Sequence, residues 1–430
     1  MQLSFISIFE YKSVGYFQDT QKRRKKMINV AVLGFGVVGS GVVELIEKNS
    51  ATINKGVAEE IRVKKILDIR DFEGHKYQSL FTKDYDEILN DDEISIVVET
   101  IGGKEPARTF TEKALKKGKS VVSSNKELVA TFGADLLVTA KENNSYYMFE
   151  ASVGGAIPVL RPMGTCLAAN NITDIWGIVN GTTNYILTRM FEQGATFEEA
   201  LKEAQEKGYA ERDPSADVDG LDTMRKIAIL MSIASGTETD CNKIHTEGIR
   251  NIRLEDVKIL DKAGYAIKLI GHGKTCDNGV FARVSPMVIS KEHPLAAVKD
   301  VFNAVMVMGD ATDEVMFYGK GAGKFPTASA VVADVIDIVK LNGKAPRYSW
   351  TKPEGDMMID IKDTSSMFYV RVNGIEKDAL EKNFEILEFV SEGEELAFFT
   401  AETNEKVFEN KKAELEQNGA KFEAVIRKLL

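Results

Sequence analysis

Cysteine and histidine are scarce in this chain. Three cysteines (Cys166, Cys241, Cys276) and four histidines (His75, His245, His272, His293) lie scattered singly through 430 residues. Their spacings suit neither a disulfide framework nor a zinc site, so a reducing cytoplasm fits and transition-metal chemistry does not. Long apolar runs are missing too: no stretch approaches the roughly 18 uninterrupted apolar residues of a membrane span. There is no surplus of positive charge either. The formal net charge is −10, which speaks against a nucleic-acid partner or an anionic membrane surface. With 44% hydrophobic and 28% charged residues, the chain falls among ordinary globular proteins, and its length predicts two or three domains with a large core.

Residues 1–26 break this balance, with six Lys/Arg against two acids. Their charge follows the apolar patch, the reverse of a secretory signal. Lys22-Arg23-Arg24-Lys25-Lys26 can be encoded by a purine-only run, and Arg-Arg as AGG-AGG would make a bacterial ribosome-binding site for initiation at Met27. Translation is therefore expected to start at Met27; the alternative is a disordered basic tail. An intact-mass spectrum of the native protein that includes residues 1–26 would overturn the first reading.

Residues 28–33 form a short β-branched run, the pattern of a buried parallel strand. It leads into Gly34-Phe35-Gly36-Val37-Val38-Gly39 and a helical pattern over 40–48. This is a G-x-G-x-x-G fingerprint in its proper context, after a strand and opening a helix. Gly34 makes the tight turn, Gly36 lets the backbone approach a pyrophosphate, and Gly39 lets helix and strand pack closely. The helix N-terminus offers free N–H groups to the phosphates. A second strand, 61–67, ends at Asp68-Ile69-Arg70-Asp71. An acid there binds the ribose of NAD, whereas Arg70 would accommodate the 2′-phosphate of NADP; both are present, and Arg70 tips the reading towards NADP. Alternating strands and helices continue through 150 and predict a doubly wound Rossmann sheet over 27–155. Thr100, Gly102 and Lys126 fall at the carboxyl ends of strands, where ligands sit in such folds. Lys126 could also be a capping surface lysine, but its place at a strand end favours the site.

From 156 to 320 runs of strands without intervening helices predict an α+β substrate-binding and dimerisation domain. Gly319-Lys320-Gly321-Ala322-Gly323-Lys324-Phe325-Pro326 then opens a helix over 327–341, expected to return, as 321–345, to the dinucleotide domain. Residues 342–355 hold two prolines and two glycines and read as a linker. Within 356–430 the pattern β-α-β-β-α-β is ferredoxin-like, with no catalytic constellation.

The centre of the chain is 208–226, which gathers Glu211, Asp213, Asp217, Asp219, Asp222 and Lys226. From Leu221 it reads as a helix entered through an Asp219-Gly220 cap, with Asp222 and Lys226 four apart on one face. A lysine entering an apolar helix is expensive unless something polar meets it. The pair reads equally as a reactive site or a buried structural ion pair.

Gly34 through Gly41, Asn125-Lys126, Glu150 through Pro158, Gly181-Thr182-Thr183-Asn184-Tyr185, residues 208–226 and Gly319 through Pro326 together resemble the homoserine dehydrogenases, over nearly everything from Met27 to the end. The last segment resembles an ACT domain, which in that family binds an amino-acid effector, usually threonine. The resemblance implies NAD(P)H-dependent, reversible reduction of L-aspartate 4-semialdehyde to L-homoserine, in threonine, methionine and isoleucine biosynthesis. It implies that Glu211 and Asp222 hold the substrate's ammonium and hydroxyl end. Lys226 would be the acid/base, Lys126 would assist at the substrate and at the nicotinamide of the cofactor, and Gly323 would lie near the cofactor. Glu150, Val153, Gly155 and Ile157 would present main-chain oxygens to sodium or a similar monovalent cation. The glycine-rich bend at 151–158, read without the resemblance, is a domain-crossing turn whose carbonyls are free for a hard cation. The residues before Asn125 are Ser123-Ser124 where Thr-Ala is frequent in that family. A homodimer or homotetramer is expected from the sheet edges and the ACT-like tail.

Two other readings compete. An aspartate-semialdehyde dehydrogenase needs a cysteine nucleophile with a base beside it, and neither Cys166 nor Cys241 has a histidine placed for that. A non-catalytic NADP-sensing protein has no need of Lys226, Asp222 and Glu211.

Overall fold

Val30, Ala31, Val32 and Leu33 have no exposed surface, because they lie in the middle of a parallel sheet covered on both faces. The computed structural model describes residues 27–57, 59–341, 343, 349–393 and 395–429. The expectations for residues 1–26, and for much of the 342–355 linker, lie outside them. The first unit runs β1 (Met27–Leu33), α1 (Val37–Lys48), α2 (Ser50–Ile53), β2 (Glu60–Leu67), β3 (Phe81–Thr82), α3 (Asp86–Leu89), β4 (Ile94–Glu99), α4 (Ala107–Lys116), β5 (Ser120–Ser123), α5 (Lys126–Glu142) and β6 (Tyr147–Met148). Its six strands pair in parallel in the order β3-β2-β1-β4-β5-β6. This is the doubly wound order whose strand-order reversal, between β1 and β4, opens a ligand crevice. α1 starts at Val37, inside the fingerprint rather than after it, so the last three fingerprint residues form its first turn.

The chain continues through α6 (Leu160–Thr165), β7 (Ile172–Ile178), α7 (Gly181–Gln193), α8 (Phe197–Glu206), α9 (Ser215–Val218), α10 (Leu221–Ser235), β8 (His245–Thr246), α11 (Leu254–Lys262), β9 (Tyr265–Cys276), β10 (Gly279–Ser290), β11 (Phe302–Gly309) and β12 (Asp313–Lys320). α10 lies very close to β9. A Cβ on Gly273 would stand 2.2 Å from the Met231 sulfur, and one on Gly271 3.1 Å from the Thr223 methyl. The two glycines thus seat the helix on the sheet, and Ile227, Leu230 and Met231 of α10 are fully buried there. The Asp219-Gly220 cap needs correction. Gly220 opens α10 in the left-handed region (φ 84°) with no side-chain cap, and the Asp219 carboxylate turns away to Arg250.

α12 (Lys324–Leu341) begins three residues before its expected start and packs its Ala328, Val331 and Val335 against Val42, Val43 and Ile46 of α1. Gly41 makes this approach feasible: a Cβ there would lie 2.8 Å from the Lys324 carbonyl oxygen. The last stretch, β13 (Ser365–Asn373), α13 (Lys377–Asn383), β14 (Ile386–Glu392), β15 (Leu396–Thr400), β16 (Thr403–Asn404), α14 (Glu405–Gln417) and β17 (Lys421–Lys428), has the strand order β17-β13-β15-β14. It is not a free-standing sheet. β17 pairs in parallel with β10 through Met287–Arg427 and Val288–Lys428, giving one sheet ordered β12-β11-β7-β9-β10-β17-β13-β15-β14. Arg427 pins the seam, donating to both oxygens of Glu247 at 2.9 Å and to Glu405 at 2.8 and 2.9 Å. Burial alone would raise the Glu247 carboxyl, but His245 and Arg427 hold it down to about 2.

Candidate active site

Each glycine of the fingerprint has a distinct geometric reason. Gly34 adopts φ 90°, and a Cβ on it would press on the Thr100 carbonyl at 3.0 Å. A Cβ on Gly36 would meet nothing within 4 Å: it faces open space at the start of α1. One on Gly39 would overlap the Gly34 carbonyl oxygen at 1.9 Å. The cradle therefore has room for a phosphate where the backbone must come close, and none where helix meets strand. The Thr100 hydroxyl reaches the carbonyls of Leu33 and Gly34 at 2.9 and 3.0 Å, tying β4 to the turn.

At the end of β2, Asp68 and Arg70 are locked together. The Asp68 carboxylate accepts the Phe35 N–H at 2.7 Å and two guanidinium N–H groups of Arg70 at 2.9 Å, while Arg70 also donates to the Phe35 carbonyl. Arg70 holds the Asp68 carboxyl down to about 2. Val37 (67% exposed) and Ile69 (87%) border this patch as uncovered apolar surface, of a kind an adenine ring would cover. Phe35 and Val38 anchor the loop from beneath, Phe35 through edge-on contacts with Phe72, Tyr77 and Phe81. Gly102 and Gly103 are exposed with positive φ, and Glu99 holds that turn by accepting the Ile101 N–H at 2.8 Å.

The second constellation forms where α5, α7, α9 and α10 begin or end. Asn125 caps α5, its side-chain oxygen accepting the Leu128 N–H, which places Lys126 at the head of the helix. Lys126 Nζ lies 2.7 Å from Asp222 Oδ1. Lys226 Nζ lies 2.6 Å from Asp222 Oδ2 and donates to the Val179 carbonyl, also at 2.6 Å. Asp222 thus bridges two lysines that lie far apart in sequence. The Lys126 side chain keeps 40% of its exposure while those of Asp222 and Lys226 keep 6% and 11%, so the triad opens to solvent on the Lys126 side. Burial works against every charge here. For Asp222 the two ammonium groups outweigh it and hold the carboxyl well below its usual range. For Lys226 burial wins over the attraction of Asp222, and its proton is held more loosely than an ordinary lysine's. Burial also opposes the charge on Lys126, but Asp222 prevails and raises its value. Burial pushes Asp217 up.

The sequence reading gives Asn180 no role and counts Asp217 only as part of the acidic stretch 208–226. Asn180 donates from Nδ2 to Asp217 Oδ1 at 2.7 Å and to Asp222 Oδ2 at 2.9 Å, and through it Asp217 joins the cluster. The available signal was the residue before Gly181, where a helix opens directly after a strand. Glu211 is not brought in. It is exposed, its carboxylate has no hydrogen bond or ion pair among the described residues, and Gln205 holds its main-chain oxygen at 3.0 Å.

Glu150 is buried, but its carboxylate accepts the N–H groups of Val159, Leu160 and Arg161 at 2.6 to 3.0 Å, capping the start of α6. The Glu150 carbonyl already accepts the Val153 N–H at 3.4 Å, whereas no N–H among the described residues donates to the carbonyls of Val153, Gly155 or Ile157. Among the described residues no cluster of three His, Cys, Asp or Glu side chains can hold a metal. Gly155 meets the Gly321 carbonyl so closely that a Cβ would lie 2.3 Å from it. Gly323 (φ 128°) sits at the start of α12, which packs on α1.

Residues 34–150 match the model of the homoserine dehydrogenase NAD-binding domain, and residues 158–336 match the homoserine dehydrogenase model. The homoserine dehydrogenase of Lactococcus lactis is 43% identical over 318 residues, 73% of this chain and 74% of that protein. That of Bacillus subtilis is 42% identical over 320 residues, 73% of each. Among solved structures, a homoserine dehydrogenase from Thiobacillus denitrificans superposes with a TM-score of 0.88 at 34% identity, covering 94% of this chain and 99% of that one. A hyperthermophilic archaeal homoserine dehydrogenase in complex with NADPH gives 0.63 at 28% identity, over 74% of this chain and 99% of that one. A dinucleotide cradle, a lysine–carboxylate–lysine triad and this degree of identity agree: the chain belongs to the homoserine dehydrogenase family.

Proposed function

We propose that the Lys126–Asp222–Lys226 triad is the reaction centre for the reversible NAD(P)-dependent reduction of L-aspartate 4-semialdehyde to L-homoserine, with Lys226 as its acid and base. The observation that carries this reading is a buried lysine whose ammonium is fixed by the Val179 carbonyl and the Asp222 carboxylate, the same carboxylate also reaching the half-exposed Lys126. When bound, the dinucleotide supplies or accepts the hydride. In reduction, the carbonyl bond pair moves onto oxygen as hydride arrives at the aldehyde carbon, and the Lys226 ammonium gives that oxygen its proton. The Lys126 charge stabilises the developing alkoxide. In oxidation, neutral Lys226 takes the proton from the homoserine hydroxyl. Asp222 orients both ammonium groups, and the exposed Glu211 is assigned, by family resemblance, to the substrate ammonium. Groups poised in this way supply roughly 100- to 10,000-fold of rate.

NADP is the assigned cofactor, with NAD as the alternative. The half-exposed Arg70 guanidinium beside the Asp68 carboxylate supports this, as does the NADPH held by the archaeal relative. The residues fit the group, since Gly36 leaves the space and α1 the free N–H groups that a pyrophosphate requires. Gly34, Phe35, Val37, Val38, Gly39, Thr100, Gly102 and Gly323 are assigned to the same dinucleotide. A monovalent cation such as sodium at the carbonyls of Glu150, Val153, Gly155 and Ile157 is supported by the three that lack N–H donors. The ferredoxin-like segment is read as an ACT-like site for threonine.

The test is oxidation of L-homoserine followed at 340 nm with NADP and with NAD, with and without L-threonine. Turnover is expected with both, faster with NADP, and threonine is expected to inhibit. Arg70→Ala should cut the NADP-to-NAD ratio of kcat/KM roughly 10-fold, the scale of one lost charge-assisted contact. An unchanged ratio would assign the ribose to Asp68. A folded protein that binds NADP but turns over neither cofactor would overturn the catalytic reading.

A further inference from the structure

We infer that Asn180 is a positioning residue of the reaction centre, setting through its side-chain amide the orientation and proton affinity of the Asp222–Lys226 pair. This rests on the assignment of that pair as catalytic. Asn180 is 4% exposed and uses every polar atom of its side chain. Its oxygen accepts the Thr183 N–H at 2.8 Å and lies 3.1 Å from the Thr183 hydroxyl, capping α7. Because a backbone N–H can only donate, the cap decides which way the amide faces. The NH₂ end is thereby aimed at the carboxylates, and each of its two hydrogens serves one of them, Asp217 at 2.7 Å and Asp222 at 2.9 Å.

Two like charges therefore meet at one nitrogen. Without that nitrogen they would repel one another in a site with little water, and each would hold a proton more tightly. With it, each carboxylate has a donor that favours its ionised form. The other half of the arrangement comes from the preceding residue, since the Val179 carbonyl takes a proton of Lys226 Nζ. One turn between β7 and α7 thus holds the lysine from one side and its carboxylate from the other. The charged groups facing the pair are Lys126 from α5, Asp217 from α9, and Arg225 on α10 beside Lys126. None of them carries a donor that bridges both carboxylates.

A cap and a bridge can be separated by substitution. Ser and Asp are as good as Asn at a helix N-cap, but Ser is too short to reach the carboxylates and Asp has no N–H to give them. If Asn180 were only a cap, both variants would behave as the parent. The expected result is a kcat for homoserine oxidation lower by on the order of 10- to 100-fold in N180S, the scale of a hydrogen bond to a charged group, and lower still in N180D. KM for NADP should stay unchanged. In both variants the carboxylates are less well stabilised and Lys226 keeps its proton to higher pH. Oxidation needs neutral Lys226, so the rising limb of its pH–rate profile should move up by about one unit in N180S. Parental kcat and an unshifted limb in N180S, with K226A inactive, would overturn the inference alone. An active K226A would instead overturn the catalytic assignment beneath it. If Asp at 180 prevents folding, N180S, which adds no charge, decides.

Discussion

Lys226→Ala is expected to lower kcat in both directions by roughly 100-fold or more, the usual scale of a lost general acid and base. The dissociation constant for NADP should barely change. The reason lies in how Lys226 is held. Its ammonium has two fixed partners, Asp222 Oδ2 and the Val179 carbonyl, leaving a single N–H direction for a reacting oxygen. Burial has already weakened its hold on the proton, so transfer is less uphill than from a solvated lysine. Alanine removes the proton carrier but not the neighbouring charges. Asp222 stays paired with Lys126 and Asn180, so the variant should fold, whereas stripping a buried carboxylate of all its partners would cost roughly 3–5 kcal/mol. The cofactor cradle is built around β1, α1, β2 and the end of β4, elements that do not contain the triad. Lys226→Arg gives a sharper version, since a guanidinium keeps the charge yet cannot release its proton at working pH. A variant of either kind with near-parental turnover would remove Lys226 from its role.

The glycines of the fingerprint give the second large effect, and here the two outcomes should differ in kind. Gly36 has an extended backbone that any residue can adopt (φ −78°, ψ −157°), and its Cβ direction is empty. Gly36→Val should therefore fold with a nearly unchanged Tm, yet fill the place a pyrophosphate needs. NADP affinity should fall on the order of 100-fold, about 2.7 kcal/mol of lost contact. Gly39 is the opposite case. A Cβ there would collide with a main-chain oxygen at 1.9 Å, and backbone cannot move aside as a flexible side chain can. Gly39→Val should cost at least the roughly 1–3 kcal/mol of an overpacked core, and the loss of stability should appear with or without cofactor. Thermal melts and NADP titration by fluorescence distinguish the two. Equal Tm values for both variants would refute the division of labour.

What the sequence shows well is whatever depends on neighbours along the chain. The strand–glycines–helix succession is local, and so is the four-residue spacing that puts Asp222 and Lys226 on one face. What it hides is set by contacts between distant segments. The bridge from Lys126 to Asp222 spans nearly a hundred residues, and no periodicity announces it. Asn180 looked like an ordinary polar residue before a helix, because its cap is local while its donors point at residues some forty positions further on. Asp219 misled for the same reason: a good cap residue found a stronger partner in Arg250. The union of the two β-rich segments into one sheet was also illegible, since a strand at either sheet's edge reads the same whether or not it has an outer neighbour.

That union has a consequence for how the protein comes into being. The outer edge of β10 is completed by β17 and the short β8, and β17 is made more than a hundred residues after β10. On the ribosome, the sheet that carries α10 must wait with part of that edge bare, a template for pairing with another chain, until residues 421–428 emerge. Removing the C-terminal segment would make that interval permanent. A truncated enzyme would then lose yield through aggregation before its catalytic residues were ever tested, and a missing activity in such a fragment would report on the edge rather than on regulation.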